Sequence, residues 1–168
     1  HAQLDERIEV YLQAPDTPAL YELILARCEA DYQRQRPDLV REALSWLWAS
    51  RRGLSEAELL DLLGEGGQPL PRAHWSPLFL ALDASFASRG GLLGFSHDYL
   101  RQAVQCRYLP EAAGRRHAHL RLADYFSAQA EPSPRRLAEL PWQLAQAQEW
   151  SRLFDLLATL DFLNAAWA

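Results

Sequence analysis

Apolar residues recur at helical spacing along most of this 168-residue chain, and the pattern changes at Gly90-Gly91. That pair lies between Phe86-Ala87-Ser88-Arg89 and Leu92-Leu93-Gly94-Phe95, two short runs suited to strands. Adjacent glycines take the positive φ that a tight hairpin turn demands, so the stretch predicts a β-hairpin set into an otherwise helical chain. A mainly α fold with a short hairpin is the expectation that the remaining sequence has to satisfy.

The helices before the hairpin are placed by their starts and stops. Leu4, Ile8, Tyr11 and Leu12 form the stripe of a helix over 3–13 that ends before Pro15. Asp16 or Thr17 caps a second helix with Pro18 in its first turn, running to about Tyr32 with Leu20, Leu23, Ile24, Arg27 and Cys28 on one face. Asp38 is expected to cap a third, through Leu39, Val40, Ala43, Leu44, Leu47 and Trp48. In Leu54-Ser55-Glu56-Ala57-Glu58, Ser55 and Glu58 have the spacing of a capping box and open a short helix to Leu63. A loop with Gly64, Gly66 and Gly67 follows, and Pro69 and Pro71 lead into a largely buried helix from Arg72 to Phe86. Two short helices after a longer one outline a helix-turn-helix core, and the hairpin is its wing.

Beyond the wing, Ser96 or His97 opens a helix that keeps Tyr99, Leu100, Ala103, Val104 and Tyr108 on one face until Pro110. A longer helix spans Ala112 to Gln129, and Glu131-Pro132-Ser133-Pro134 ends it. Helical pieces follow around Arg136–Ala147, Trp150–Leu157 and Phe162–Trp167. The reading is a winged helix followed by a small helical bundle: 1–36 ends a preceding helical domain, 37–110 is the winged helix, and 111–168 leads towards repeats.

The chemistry that the residues exclude is as informative. All 17 basic residues are Arg, so no Gly-x-x-x-x-Gly-Lys phosphate loop exists, and Gly64-Glu65-Gly66-Gly67 puts an acid where a phosphate would sit. His117 and His119, two apart on a helix, point about 200° from each other and do not share a metal ion. Glu56, Glu58 and Asp61 read as a solvated acidic face, and no nucleophile set is identifiable. The expectation is a non-enzyme with no cofactor and no metal of its own.

A net charge of −5 opposes binding to nucleic acid or an anionic membrane, and no apolar run approaches the ~20 residues of a membrane span. The candidate recognition helix has one Arg, with Asp83, Pro77 and the apolar Trp75, Leu78 and Phe79, which favours contact with protein over DNA. Cys28 and Cys106, far apart in apolar-patterned segments, are expected as free thiols of a cytoplasmic protein. The chain has no Met and is expected to be a fragment or a processed product.

Gly94-Phe95-Ser96-His97-Asp98-Tyr99-Leu100-Arg101-Gln102-Ala103-Val104 resembles the end of the winged-helix domain of STAND NTPases. This class includes NACHT and NB-ARC proteins, apoptosome scaffolds, plant resistance proteins, nephrocystin and telomerase-associated proteins. Leu39–Leu47 with Arg52–Leu59 is similar to the first winged-helix segment of that class, and Leu20–Leu25 to the end of the helical domain before it. Ala123–Phe126, Leu140–Ala147, Trp150, Leu153, Leu156-Leu157 and Asp161-Phe162-Leu163 resemble the helical segment that precedes WD or TPR repeats.

The resemblance implies a regulatory fragment of an NTPase that binds ADP or ATP with Mg. Its partners are then the nucleotide-binding domain of the same polypeptide and C-terminal repeats, with oligomerisation on activation. In the family a Met-His-Asp histidine reaches the ADP phosphate. His97-Asp98 match the last two positions and Ser96 replaces Met, which implies a nucleotide-sensing role for His97. From the residues alone, Ser96 and Asp98 are expected to cap or support the helix start. Trp75, Trp142 and Trp150 are candidate protein contacts. Two other readings stand beside this one: a winged-helix transcriptional regulator that binds DNA, and a passive helical scaffold that binds a partner through Trp142 and Trp150.

Overall fold

The computed structural model describes residues 9–34, 36–129 and 133–159. Of the helix expected over 3–13, residues 9–12 are helical and 3–8 lie outside the described residues, as do Glu131-Pro132 and the piece at Phe162–Trp167. The protein is mainly α. Its helices are α1 (Thr17–Tyr32), α2 (Leu39–Ala49), α3 (Glu56–Leu62), α4 (Arg72–Leu82), α5 (Asp98–Tyr108), α6 (Ala112–Ser127), α7 (Pro134–Gln146) and α8 (Trp150–Leu157). A two-stranded sheet, β1 (Phe86–Arg89) and β2 (Leu92–Phe95), stands between α4 and α5.

Local chemistry sets most of these boundaries. The Asp16 carboxylate accepts the Ala19 amide at 2.9 Å and starts α1, where Pro18 loses nothing by lacking a donor. Ser55 and Glu58 form the capping box: the Ser55 hydroxyl accepts the Glu58 amide at 3.2 Å, and Glu58 accepts the Ser55 amide at 2.7 Å. Asp38 does not cap α2. Its φ is +60°, outside the extended region that aims an N-cap side chain at the helix amides, and the carboxylate lies 3.5 Å from Arg41 instead.

The expected helix from Arg72 to Phe86 stops at Leu82. A 3-10 turn, Asp83–Ser85, follows, and Phe86 joins β1 opposite Phe95. The aromatic rings explain the break. As a strand residue Phe86 stacks on Phe79 at 6.1 Å and meets Trp75 and Phe95 at 6.4 and 6.3 Å. The hairpin turn is formed by Gly90 and Gly91 with φ of +60° and +79°. Leu54 also bridges Leu93 antiparallel, through N–H to O bonds of 2.9 and 2.7 Å, so the chain before α3 runs along β2.

The core is built around α2, of which nine of eleven residues are buried. It packs on α1, α3, α5, α6 and β2, while α7 lies along α6 and α8 along α7. A single apolar cluster runs from Leu25 and Cys28 in α1 through Leu44, Leu59 and Trp75 to Phe126 and Leu144, crossing both expected segment boundaries. In α1 the deepest residues are Leu25 and Cys28, so its buried face is turned from the stripe through Leu20 and Leu23. Cys28 and Cys106 are both free thiols, but Cys106 is exposed, on the outer side of α5, and not in an apolar setting.

Gly53 couples the bridge at Leu54 to this core. Its φ is +95°, and a Cβ there would overlap the carbonyl oxygen of Leu93. Gly66, at φ +60°, faces open space. Urea unfolding of Gly53→Ala is expected to show a loss of roughly 2–3 kcal/mol, against about 1 for Gly66→Ala, since both pay for the left-handed backbone and only the first meets another chain segment.

Candidate functional site

The start of α5 follows directly from β2. His97 is the N-cap residue, with extended backbone at φ −138° and ψ 146°, and no described side chain caps the helix. Ser96, expected as a cap, points the other way: its amide donates to Ser85 at 3.0 Å and its hydroxyl to the Ala84 carbonyl at 3.5 Å, closing the base of the hairpin. Asp98 makes no cap bond either. It lies in the first turn, where its carboxylate meets the positive end of the helix dipole. His97, Asp98 and Tyr99 are exposed, the last against its expected place on the apolar face. The result is an imidazole beside helix-start amides that no described side chain occupies, a combination able to donate to an anion.

Packing holds α5 rigid behind that exposed start. Leu100, Ala103 and Val104 are buried. At its far end Arg107 grips Glu29 of α1 with two bonds of 2.9 and 2.7 Å and Glu22 with a third of 2.7 Å. The Tyr108 hydroxyl donates to Glu29 at 2.6 Å. The Arg107 guanidinium holds the Glu29 carboxyl below its ordinary range, and burial pushes the Tyr108 phenol up.

The most tightly buried polar group lies elsewhere, between α7 and the exit of α2. Glu139 is fully buried, and its carboxylate accepts from the Arg51 amide (3.2 Å), the Arg52 amide (3.3 Å), Arg135 Nη1 (3.3 Å) and Gln143 Nε2 (3.0 Å). Gln143 Nε2 also donates to the Ala49 carbonyl at 3.0 Å. With the amide nitrogen committed to two acceptors, Gln143 Oε1 faces His119 Nδ1 at 2.8 Å, which places the imidazole proton on Nδ1. Burial holds the His119 pKa below the ordinary histidine value.

Arg135 completes the junction. It clamps Glu58 with bonds of 2.9 and 3.0 Å and donates to the Gly53 carbonyl at 2.9 Å, over the ring of Phe126. Glu58 is therefore buried in an ion pair, not part of a solvated acidic face; the reach of Arg135 from α7 supplies the compensating charge. Glu139 and Gln143 belong to no motif along the chain, although Arg135, Glu139 and Gln143 form an i, i+4, i+8 row beside the apolar Leu140 and Leu144. That polar row was the available signal.

The three candidate contact tryptophans separate. Trp75 is 1% exposed inside the aromatic cluster and offers no surface, which overturns its expected contact role. Trp142 is half-buried with its ring edge-on to His119 at 5.3 Å. Trp150 is 61% exposed. With Phe154 at 71% and Leu157 at 44% it forms an i, i+4, i+7 apolar ridge along α8, while Leu153 and Leu156 face the core. His117 is exposed and His119 buried, so the two diverge as their spacing requires.

Among the described residues, no helix is long and apolar enough to cross a membrane. No family model matches the chain, and no solved structure matches it. Two curated proteins are similar over nearly all of it. A TPR repeat-containing protein of Dictyostelium discoideum is 32% identical over 160 residues, covering 95% of this chain and 10% of that protein. Nephrocystin-3 of Homo sapiens is 26% identical over 161 residues, covering 94% of this chain and 12% of that protein. The chain thus spans about a tenth of the length of the curated relatives it matches.

Removing the Glu139 carboxylate strands buried donors on two segments, so Glu139→Ala is expected to lose roughly 3–5 kcal/mol in urea unfolding. Asp155→Ala on the outer face of α8 should stay within about 0.5 kcal/mol. The lowered His119 pKa gives a second test. Stability should be level above pH 6.5, the ordinary histidine value, and fall as the pH drops below it, because the unfolded chain then binds a proton that the folded chain refuses. His119→Asn, whose amide can still donate to Gln143, should flatten that slope; an unchanged slope would place its origin at another group.

Proposed function

We propose that the chain is a regulatory and interaction unit of a STAND-class signal-transducing NTPase, and not itself a catalyst. Residues 37–110 act as a winged helix, 1–36 end the helical domain before it, and 111–168 lead into helical repeats. In the longer cytoplasmic protein this unit packs against the nucleotide-binding domain in the ADP state and moves as a body on exchange, carrying the repeats with it. The nucleotide, ADP or ATP with Mg, belongs to that neighbouring domain.

The observation that carries this reading is the exposed start of α5, where His97 stands beside helix amides that no described side chain caps, on a rigid support. The order of elements also favours it. A helix, an extended bridge at Leu54, two helices, a hairpin and a further helix follow one another as in a winged helix. So does similarity along 94% of the chain to nephrocystin-3, whose name falls within the class that the sequence words resemble. Of the outward residues of α4, Ala73, Pro77 and Leu80 carry no charge for a phosphate and the one cation, Arg72, is paired with Glu56, which weighs against the DNA-binding alternative.

The ridge of Trp150, Phe154 and Leu157 favours a second, simpler reading as a helical scaffold, in which α8 is the edge where a TPR-like array or a partner helix continues. That reading assigns nothing to His97, and a single experiment separates the two. In the full-length protein, His97→Ala is expected to release bound ADP faster, by about tenfold if one charge-assisted contact is lost. Unchanged ADP retention, with the fold intact, would leave the scaffold reading.

A further inference from the structure

Positive charge collects on the side of β2 that faces α2 and the start of α5. Arg51, Arg52, Arg89 and Arg101 line a cleft of about 240 Å³ whose lining includes a single carboxylate, Asp98. Four guanidiniums against one acid leave three positive charges in the cleft, in a chain whose net charge is −5. None of the four makes an ion pair with a described carboxylate. Like charges brought together without partners oppose folding, and this concentration stands out from a surface that is acidic overall.

The buried junction holds the cleft in shape. The backbone amides of Arg51 and Arg52 are held by Glu139, which sets where both side chains leave the chain. Arg51 Nη1 donates to the Ala138 carbonyl at 3.2 Å. Arg101 Nη2 donates to the Trp48 carbonyl at 3.3 Å, and its guanidinium lies 5.7 Å over the Trp48 ring. Two of the guanidiniums are therefore positioned before any ligand arrives, which lowers the ordering cost of binding. Arg52 and Arg89 are exposed across the mouth and remain available as planar forks.

We infer that this cleft is a docking site for an acidic segment of a partner protein, its Arg52 and Arg89 forks taking Glu or Asp carboxylates while Leu92 and Phe95 receive the apolar part of the same segment. A carboxylate matches the bidentate geometry of a guanidinium. The acidic surface outside the cleft would repel a long polyanion such as nucleic acid but tolerates a short peptide whose charge ends within it. The inference does not draw on the nucleotide-linked role of His97, which is not among the lining residues.

The test is fluorescence anisotropy of a labelled hexaglutamate peptide titrated with the whole chain at about 20 mM salt, where the screening length is long. Saturable binding is expected. The double variant Arg52→Gln, Arg89→Gln should weaken it by about tenfold, and Arg121→Gln, an exposed arginine of α6 outside the cleft, should leave it within about twofold. Circular dichroism of the double variant should match the parent chain, because neither side chain is buried. Absence of saturable binding, or equal weakening by Arg121→Gln, would overturn the proposal. So would displacement of the peptide by pyrophosphate but not by acetate at matched ionic strength, which would reassign the cleft to a phosphate.

Discussion

The carboxylate of Glu139 joins two halves of the molecule that have no covalent reason to meet. One oxygen pair accepts the amides that leave α2, the head of Arg135 and the amide of Gln143, and the residue is fully buried. An ion this deep costs several kcal/mol to desolvate unless every lone pair finds a donor, and here each does. The compensation is specific. Arg135 serves Glu139 and Glu58 together, and Gln143 serves Glu139 and the last turn of α2 together, so a shift of α7 along α2 would unpair several groups in one step.

That specificity bears on what α2 can do. Apolar packing alone tolerates sliding, since one buried leucine is much like another; a satisfied polar network does not. Helix α2 touches α1, α5, α6 and β2, and the network seats α7 at its exit. Ion pairs between Arg107 and Glu29 fasten α1 to α5 on the opposite side. The described chain is thereby suited to move as one body, with the exposed start of α5 and the ridge of α8 carried on a common frame. The proposed relay role requires such a frame, because a flexible one would absorb the displacement.

Much of the fold was legible because its determinants act over three or four residues. Asp16 before Pro18, Ser55 with Glu58, and Gly90-Gly91 between apolar runs each specify a local geometry that needs no outside partner. Asp38 does not cap because its φ is +60°, a conformation its own residue type does not reveal. Phe86 leaves the helix for β1, where its ring meets Phe79 of α4 and Phe95 of β2, contacts set by tertiary packing. The candidate site was less legible: His97 is a candidate through its motif alone, whereas the cleft of arginines assembles from the segment after α2, from β1 and from α5, and has no pattern in the chain.

By itself, the sequence determined the order and type of the elements, the hairpin turn, the absence of a phosphate loop and the divergence of His117 from His119, since all of these depend on near neighbours and on which side chains exist. Only the tertiary structure decided which polar groups went inside and which aromatic rings stayed out. Glu58 and Arg135 are 77 residues apart, and Gln143 and Ala49 are 94 apart. Burial of a charge is decided by the partner that arrives to pair it, and exposure of Trp150 by what does not pack against it. Neither is a property of the residue or of its neighbours along the chain, so both appear only once distant segments have met.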